Sequence, residues 1–102
     1  MAIDISVDQF EAEVHDKSGE ERVVVDFWAP WCNPCKMLGP TLEEVCEEEG
    51  LKLVKINVDE NSDLARQFGI RGIPAVKVFK DGEVVDEFTG VQPEEQIRSV
   101  VT

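Results

Sequence analysis

Cys32 and Cys35 stand two residues apart in the stretch WCNPCK, residues 31–36, with Asn33 and Pro34 between them. A pair so spaced can hold a metal, staple a fold or carry electrons. With Cys46 and the single histidine, His15, it makes a Cys₃His set on paper. The set fails on geometry. From Pro34 to Glu49 the apolar residues Leu38, Leu42 and Val45 recur at helical spacing. That places Cys35 and Cys46 on one helix, roughly 16 Å apart along its axis. Two ligands of one zinc lie within a few ångströms of each other, and bridged cysteines need Cα atoms within about 7 Å. Neither a closed metal site nor a Cys35–Cys46 disulfide survives. Cys46 is expected to pack as a small apolar residue, and a regulatory role for it would depend on exposure. His15 reads as a surface residue.

The redox chemistry fits better. Cys32 precedes the helix and Cys35 falls in its first turn. Free backbone N–H groups and the positive end of the helix dipole favour a thiolate at Cys32. The more N-terminal sulfur is expected to be the exposed attacker, and the more buried one the thiol that resolves the mixed disulfide. A close pair of cysteines beside a strand–helix–strand pattern is a recognised disulfide-exchange arrangement.

The elements that must position the pair follow from periodicity and punctuation. IDIS (3–6) reads as a short edge strand. VDQFEAEVHDK (7–17) reads as a helix capped by Asp8 and closed by Gly19. RVVVDFWA (22–29) is apolar and β-branched, as suits a central strand buried on both faces. Asp26 interrupts it, and a carboxylate there is costly unless paired or protonated. The helix over 34–49 should kink at Pro40 and stop at Gly50. LKLVKINV (51–58) is a second buried strand, and NSDLARQFG (61–69) a short capped helix. AVKVF (75–79), KDGE and VVDEF (84–88) form a hairpin around Asp81-Gly82. PEEQIRSVV (93–101) opens a last helix with Pro93 at its first position. The order predicts an α/β fold with a mixed central sheet and helices on both faces. The cysteines then sit where the second strand ends and a helix begins.

Composition narrows the function classes. The 102 residues suit one domain over 1–102, and 42% of them are hydrophobic, enough for a core without metal or disulfide staples. A formal net charge of −12 repels nucleic-acid backbones and anionic lipid. The start, MAIDISVDQF, lacks the basic and apolar regions of a signal peptide, and no stretch is long enough to span a bilayer. A cytoplasmic protein without a membrane partner is the expectation.

VVVDFWAPWCNPCKMLGP (23–40) closely resembles the active-site segment of the thioredoxin family. The resemblance runs almost end to end, through KINVDEN (55–61), FGIRGIPAVKVFKDGE (68–83) and Gly90. It implies a thioredoxin fold, a mixed five-stranded sheet flanked by four helices. It implies a thiol–disulfide oxidoreductase that reduces protein disulfides, with Cys32 as nucleophile and Cys35 as resolving thiol. Asp26 matches the buried carboxylate that handles protons behind the pair, its burial raising its pKa toward neutrality. Lys55 matches that carboxylate's partner on the next strand. Pro74 matches a proline preceded by a cis peptide bond and facing the cysteines. Ile73 offers its backbone to an extended substrate, and Trp31, Asn33, Pro34, Gly72, Ile73, Pro74, Gly90 and Val91 form the substrate face. Trp28 packs beside the site. The resemblance further implies no bound cofactor or metal, a monomer, and electrons delivered by a thioredoxin reductase. A thioredoxin-like binding or assembly module, or a more oxidising glutaredoxin-like protein, is the alternative.

Two features depart from the family pattern: the acidity, and Asn33 where glycine is usual. Asn33 is a good N-cap residue ahead of a proline. It is therefore expected to cap the helix, compete with Cys32 for the N–H of Cys35 or Lys36, and raise the Cys32 pKa.

Overall fold

The computed structural model describes residues 2–4, 10 and 22–102. Five strands are described, β1 (Ala2–Asp4), β2 (Val23–Trp28), β3 (Lys52–Asn57), β4 (Ala75–Lys80) and β5 (Glu83–Thr89). Three helices accompany them, α1 (Asn33–Glu49), α2 (Ser62–Gln67) and α3 (Glu94–Val101). The helix expected over 7–17 lies outside the described residues except for Phe10, which is helical, and so does His15.

The sheet order is β1-β3-β2-β4-β5. β1, β3 and β2 run parallel, and β4 and β5 complete the sheet antiparallel. The mixed sheet follows from the connections. The helix α1 links the parallel strands β2 and β3, whereas β4 and β5 are joined by the two residues Asp81 and Gly82. Both have positive φ, 55° and 77°, as a tight primed turn requires, which explains why Asp-Gly marks it.

β2 is central, and alternation sends its side chains to opposite faces. Val23, Val25 and Phe27 join Phe10, Val54, Ile56, Leu64 of α2, Ala75 and Phe79 on one face. Val24 joins Leu38, Leu42, Val45 and Cys46 of α1 and Ile97, Val100 and Val101 of α3 on the other. Each such Val or Leu side chain, wholly buried, contributes about 1.5–3 kcal/mol. Asp26 and Trp28 alternate in phase with Val24, so both belong to the α1 face, and Asp26 is only 2% exposed.

α1 runs through Pro40 to Glu49 and closes with Gly50 in the left-handed region at φ 69°. The N–H of Gly50 reaches the Glu47 carbonyl at 3.2 Å, and that of Leu51 the Cys46 carbonyl at 2.8 Å. These bonds satisfy the carbonyls that a helix end leaves open. Arg98 of α3 clamps this end by donating to Glu48 and Glu49, and it also donates to Glu94 one turn back on its own helix.

Three local expectations need correction. The helix start is capped by Cys32, which has extended backbone angles (φ −88°, ψ 105°), and not by Asn33. The capped helix expected over 61–69 has no side-chain cap: Asn61 precedes α2, and its side-chain amide donates to the Asn57 carbonyl at 3.0 Å. Pro93 is likewise the extended residue before α3 rather than its first helical one.

Candidate active site

Parallel pairing of β2 with β3 brings their carboxyl ends to one edge of the sheet. The N–H of Val58 bonds the Trp28 carbonyl at 2.9 Å, carrying the alignment past the strand ends. The loop after β2 then turns into α1, with the Cys32 N–H reaching back to the Ala29 carbonyl at 3.1 Å. Cys32 and Cys35 meet at this corner as a disulfide, their Cα atoms 5.3 Å apart. One helical turn between them supplies that separation, within the usual range for a bridge.

Cys32 does the work of a helix cap twice over. Its Sγ accepts the Cys35 N–H at 3.2 Å, and its carbonyl accepts the Lys36 N–H at 3.2 Å. Those are the two donors that Asn33 was expected to take, so its side chain has nothing there to compete for. Asn33 and Pro34 instead stand exposed in the first turn. The expected difference in exposure between the two sulfurs is also absent in the disulfide form, where Cys32 is 4% and Cys35 5% exposed. Bridging holds both against the same apolar wall of Ala29, Trp28, Val58 and Ile73.

The Ile73–Pro74 peptide bond is cis. It brings the Ile73 carbonyl to 3.8 Å from Cys32 Sγ, a contact that a thiol could use as a donor but a bridged sulfur cannot. Pro74 in turn accepts the Gly90 N–H at 2.8 Å, which ties the Gly90–Val91 turn to the same corner. Gly90 needs its glycine, at φ 78°. Trp31, 65% exposed, and Val91, 46% exposed, present large apolar side chains beside exposed Gly72 and half-buried Ile73, whereas Pro74 is itself buried.

Asp26 and Lys55 are paired in register across β2 and β3, which puts them on the same face. Lys55 extends over the Trp28 ring, its Nζ 4.5 Å from the centroid, a cation–π contact. Lys55, Trp28, Cys35, Lys36, Gly39, Pro40 and Glu43 line a cleft of about 240 Å³ that reaches the Cys35 side of the disulfide. Trp28 Nε1 has no hydrogen-bond partner among the described residues. The residues expected at the site are therefore brought to one corner from four separate stretches of chain. Sequence reasoning passed over Asp59, whose carboxylate accepts the Trp31 indole N–H at 2.8 Å. Its only signal in the sequence was the turn-forming NVDEN that holds it.

Cys46 is 2% exposed, and burial pushes its thiol pKa up to about 12. It lies in the apolar layer under α1, away from the pair. No group of three or more His, Cys, Asp or Glu able to hold a metal ion occurs among the described residues.

The thioredoxin family model matches residues 2–102. The chain belongs to the thioredoxin family. The thioredoxin of Bacillus subtilis is 49% identical over 104 residues, covering 99% of this chain and 96% of that protein. That of Listeria monocytogenes is 44% identical over 93 residues, 89% of this chain and 90% of its own, and thioredoxin 1 of a Nostoc species 45% over 94 residues, 90% and 86%. The architecture is the thioredoxin fold, and the protein is a thiol–disulfide oxidoreductase, a protein-disulfide reductase. A binding or assembly module and a glutaredoxin-like oxidant are not favoured by relatives of this kind. No described helix is long and apolar enough to cross a membrane.

Proposed function

We propose that Cys32 and Cys35 reduce protein disulfides by a dithiol–disulfide cycle in the cytoplasm, with the protein acting as a monomer. The bridged pair at the amino end of α1, with the Cys35 N–H directed at Cys32 Sγ, carries the reading. In the reduced protein the same N–H and the helix dipole stabilise a Cys32 thiolate. That thiolate attacks one sulfur of a substrate disulfide, forms the mixed disulfide and releases the other sulfur as a thiolate, which takes up a proton. Cys35 loses its proton and attacks Cys32 Sγ. The second substrate sulfur leaves as a thiolate and takes up a proton, the substrate has gained two electrons and two protons, and the protein ends as the Cys32–Cys35 disulfide.

Asp26 is the group for the Cys35 proton. Burial disfavours its charged form, which suits a carboxylate that takes up and returns a proton. Lys55, level with Asp26 and open to the cleft beside Cys35, supports that exchange and leads it to solvent. The substrate chain lies against Trp31, Asn33, Pro34, Gly72, Ile73, Pro74, Gly90 and Val91. Its backbone pairs with Ile73 in β fashion, as an extended segment does with an open edge. A thioredoxin reductase returns the electrons. The family match over residues 2–102 supports taking 1–102 as a single domain.

Insulin reduction with a supplied reductant tests the cycle. Cys32→Ser is expected to abolish turnover, and Asp26→Asn to slow it by up to about a hundredfold, within the span typical of one acid–base group. Wild-type protein that leaves insulin intact, or a Cys32→Ser variant that still turns over, would remove this reading.

A further inference from the structure

Trp31 immediately precedes the nucleophile and is 65% exposed, so little packing holds its ring. One directed bond does: its indole N–H donates to Asp59 Oδ2 at 2.8 Å, across 28 residues of sequence. We propose that Asp59 is a positioning residue for disulfide exchange. It fixes the Trp31 indole in one orientation beside Cys32, so that an incoming protein substrate meets a preformed contact. This rests on the reading of Trp31 as part of the substrate face.

The turn that carries Asp59 is built before its carboxylate reaches out. Asn57, the last residue of β3, organises it. The Asn57 carbonyl accepts the N–H groups of Glu60 and Asn61 at 3.2 and 3.0 Å, and the Asn61 side-chain amide at 3.0 Å. The Asn57 side-chain oxygen accepts the Asp59 N–H at 2.9 Å. Asn61 is 7% exposed, and its carbonyl takes the Ala65 N–H of α2 at 3.1 Å, which anchors the turn to a helix. On the other side, the Val58 N–H to the Trp28 carbonyl holds the turn against the loop that bears Trp31. Asp59 is thus fixed at its backbone, while its charged oxygen binds a side chain from the catalytic loop. A hydrogen bond to an ionised acceptor is among the stronger kinds.

The consequence is thermodynamic. An exposed indole free to change rotamer would lose that freedom whenever a substrate docked, and the loss would weaken binding. An indole already held by Asp59 has little to lose. The effect falls on substrates large enough to touch Trp31. It does not fall on sulfur exchange itself, because Asp59 has no bond to either cysteine.

The experiment compares Asp59→Ala and Asp59→Asn with wild type on insulin and on hydroxyethyl disulfide, a small neutral disulfide. For Asp59→Ala, KM for insulin is expected to rise about threefold to tenfold, the range for one newly mobile side chain. The kcat for insulin, hydroxyethyl disulfide reduction and the redox potential stay unchanged. Asn keeps an acceptor oxygen, so Asp59→Asn should restore a near wild-type KM. Relaxation of the Trp31 indole ¹⁵N–¹H signal should show faster motion in the Ala variant alone. An unchanged insulin KM in Asp59→Ala overturns the proposal. So does an equal loss on hydroxyethyl disulfide, which would mark a general disturbance of the site. Wild-type protein inert toward both disulfides would instead bring down the dithiol cycle, and this proposal with it.

Discussion

Helix α1 holds a cysteine near each end, and the two differ in almost everything except burial. Cys35 is 5% exposed and Cys46 2%. Cys35 sits in the first turn, where a helix leaves N–H groups open, and its own N–H points at the sulfur of Cys32. Cys46 sits in the last turn, where the open groups are carbonyls and its own carbonyl is already bonded by Leu51. It belongs to an apolar cluster with Val24, Leu42, Val45, Leu53 and Ile97, whose side chains carry no donor. Desolvation, the largest influence, pushes its thiol up to about 12. Burial does not decide whether a sulfur is reactive; which end of the helix it occupies, and what faces it, does.

The largest expected effect tests that contrast through Cys32, the sulfur that the Cys35 N–H faces. In the reduced native protein at pH 8, iodoacetamide should modify Cys32 at least about a thousandfold faster than Cys46, because so little of a thiol this far raised is ionised. In denaturant the two rates should converge. Peptide mapping of the alkylated protein gives both numbers, and comparable native rates would break the comparison. The same shift carries a pH signature. The folded Cys46 keeps its proton up to about 12, whereas the ordinary value is 9.0. Between those values the unfolded chain loses the proton first, so stability falls as pH rises, and below the lower one Cys46 adds no pH dependence. Cys46→Ala should flatten the alkaline slope in urea titrations.

A smaller effect is expected from Cys46→Ala on stability itself. Removing a buried sulfur from the layer under α1 leaves a small void and costs about 1–2 kcal/mol. Insulin reduction should stay within about twofold, since Cys46 touches nothing at the pair and only activated thiols take part in exchange. A large loss of activity would mean that the two ends of α1 are coupled.

The smallest effect sharpens the active end. Cys32 is its own cap and takes both N–H groups that Asn33 was expected to claim. Asn33→Gly should therefore move the Cys32 pKa by less than about 0.3 units, well inside the spread that local surroundings impose on titrating groups. Thiol titration of both proteins decides it. A clear drop on removing the asparagine would restore the competition that the geometry excludes.

Much of the site was legible because its signals are local. The spacing of Cys32 and Cys35, an apolar strand interrupted by Asp26, and the Asp81-Gly82 turn each announce a backbone state or a chemical need within a few residues. The cap at Asn33 misled for an equally local reason. Asparagine is a favoured cap in general, but a cap must have extended angles and an acceptor in reach, and here the preceding residue had both. The short helix α2 has no side-chain cap; the Asn61 amide turns back to donate to the Asn57 carbonyl instead.

The sequence by itself determined the element types, the mixed α/β order, the dithiol pair and the exclusion of a metal shared with Cys46. Those follow from periodicity, turn chemistry and helical rise, which act over short stretches of chain. Only the tertiary structure decided that Lys55 lies over Trp28, that Ile73 and Gly90 close on the cysteine corner, and that Asp59 holds Trp31. Those contacts depend on strand register and on which strand ends share an edge of the sheet. Pairing of distant segments sets both, and no residue's own neighbours in the chain can specify it.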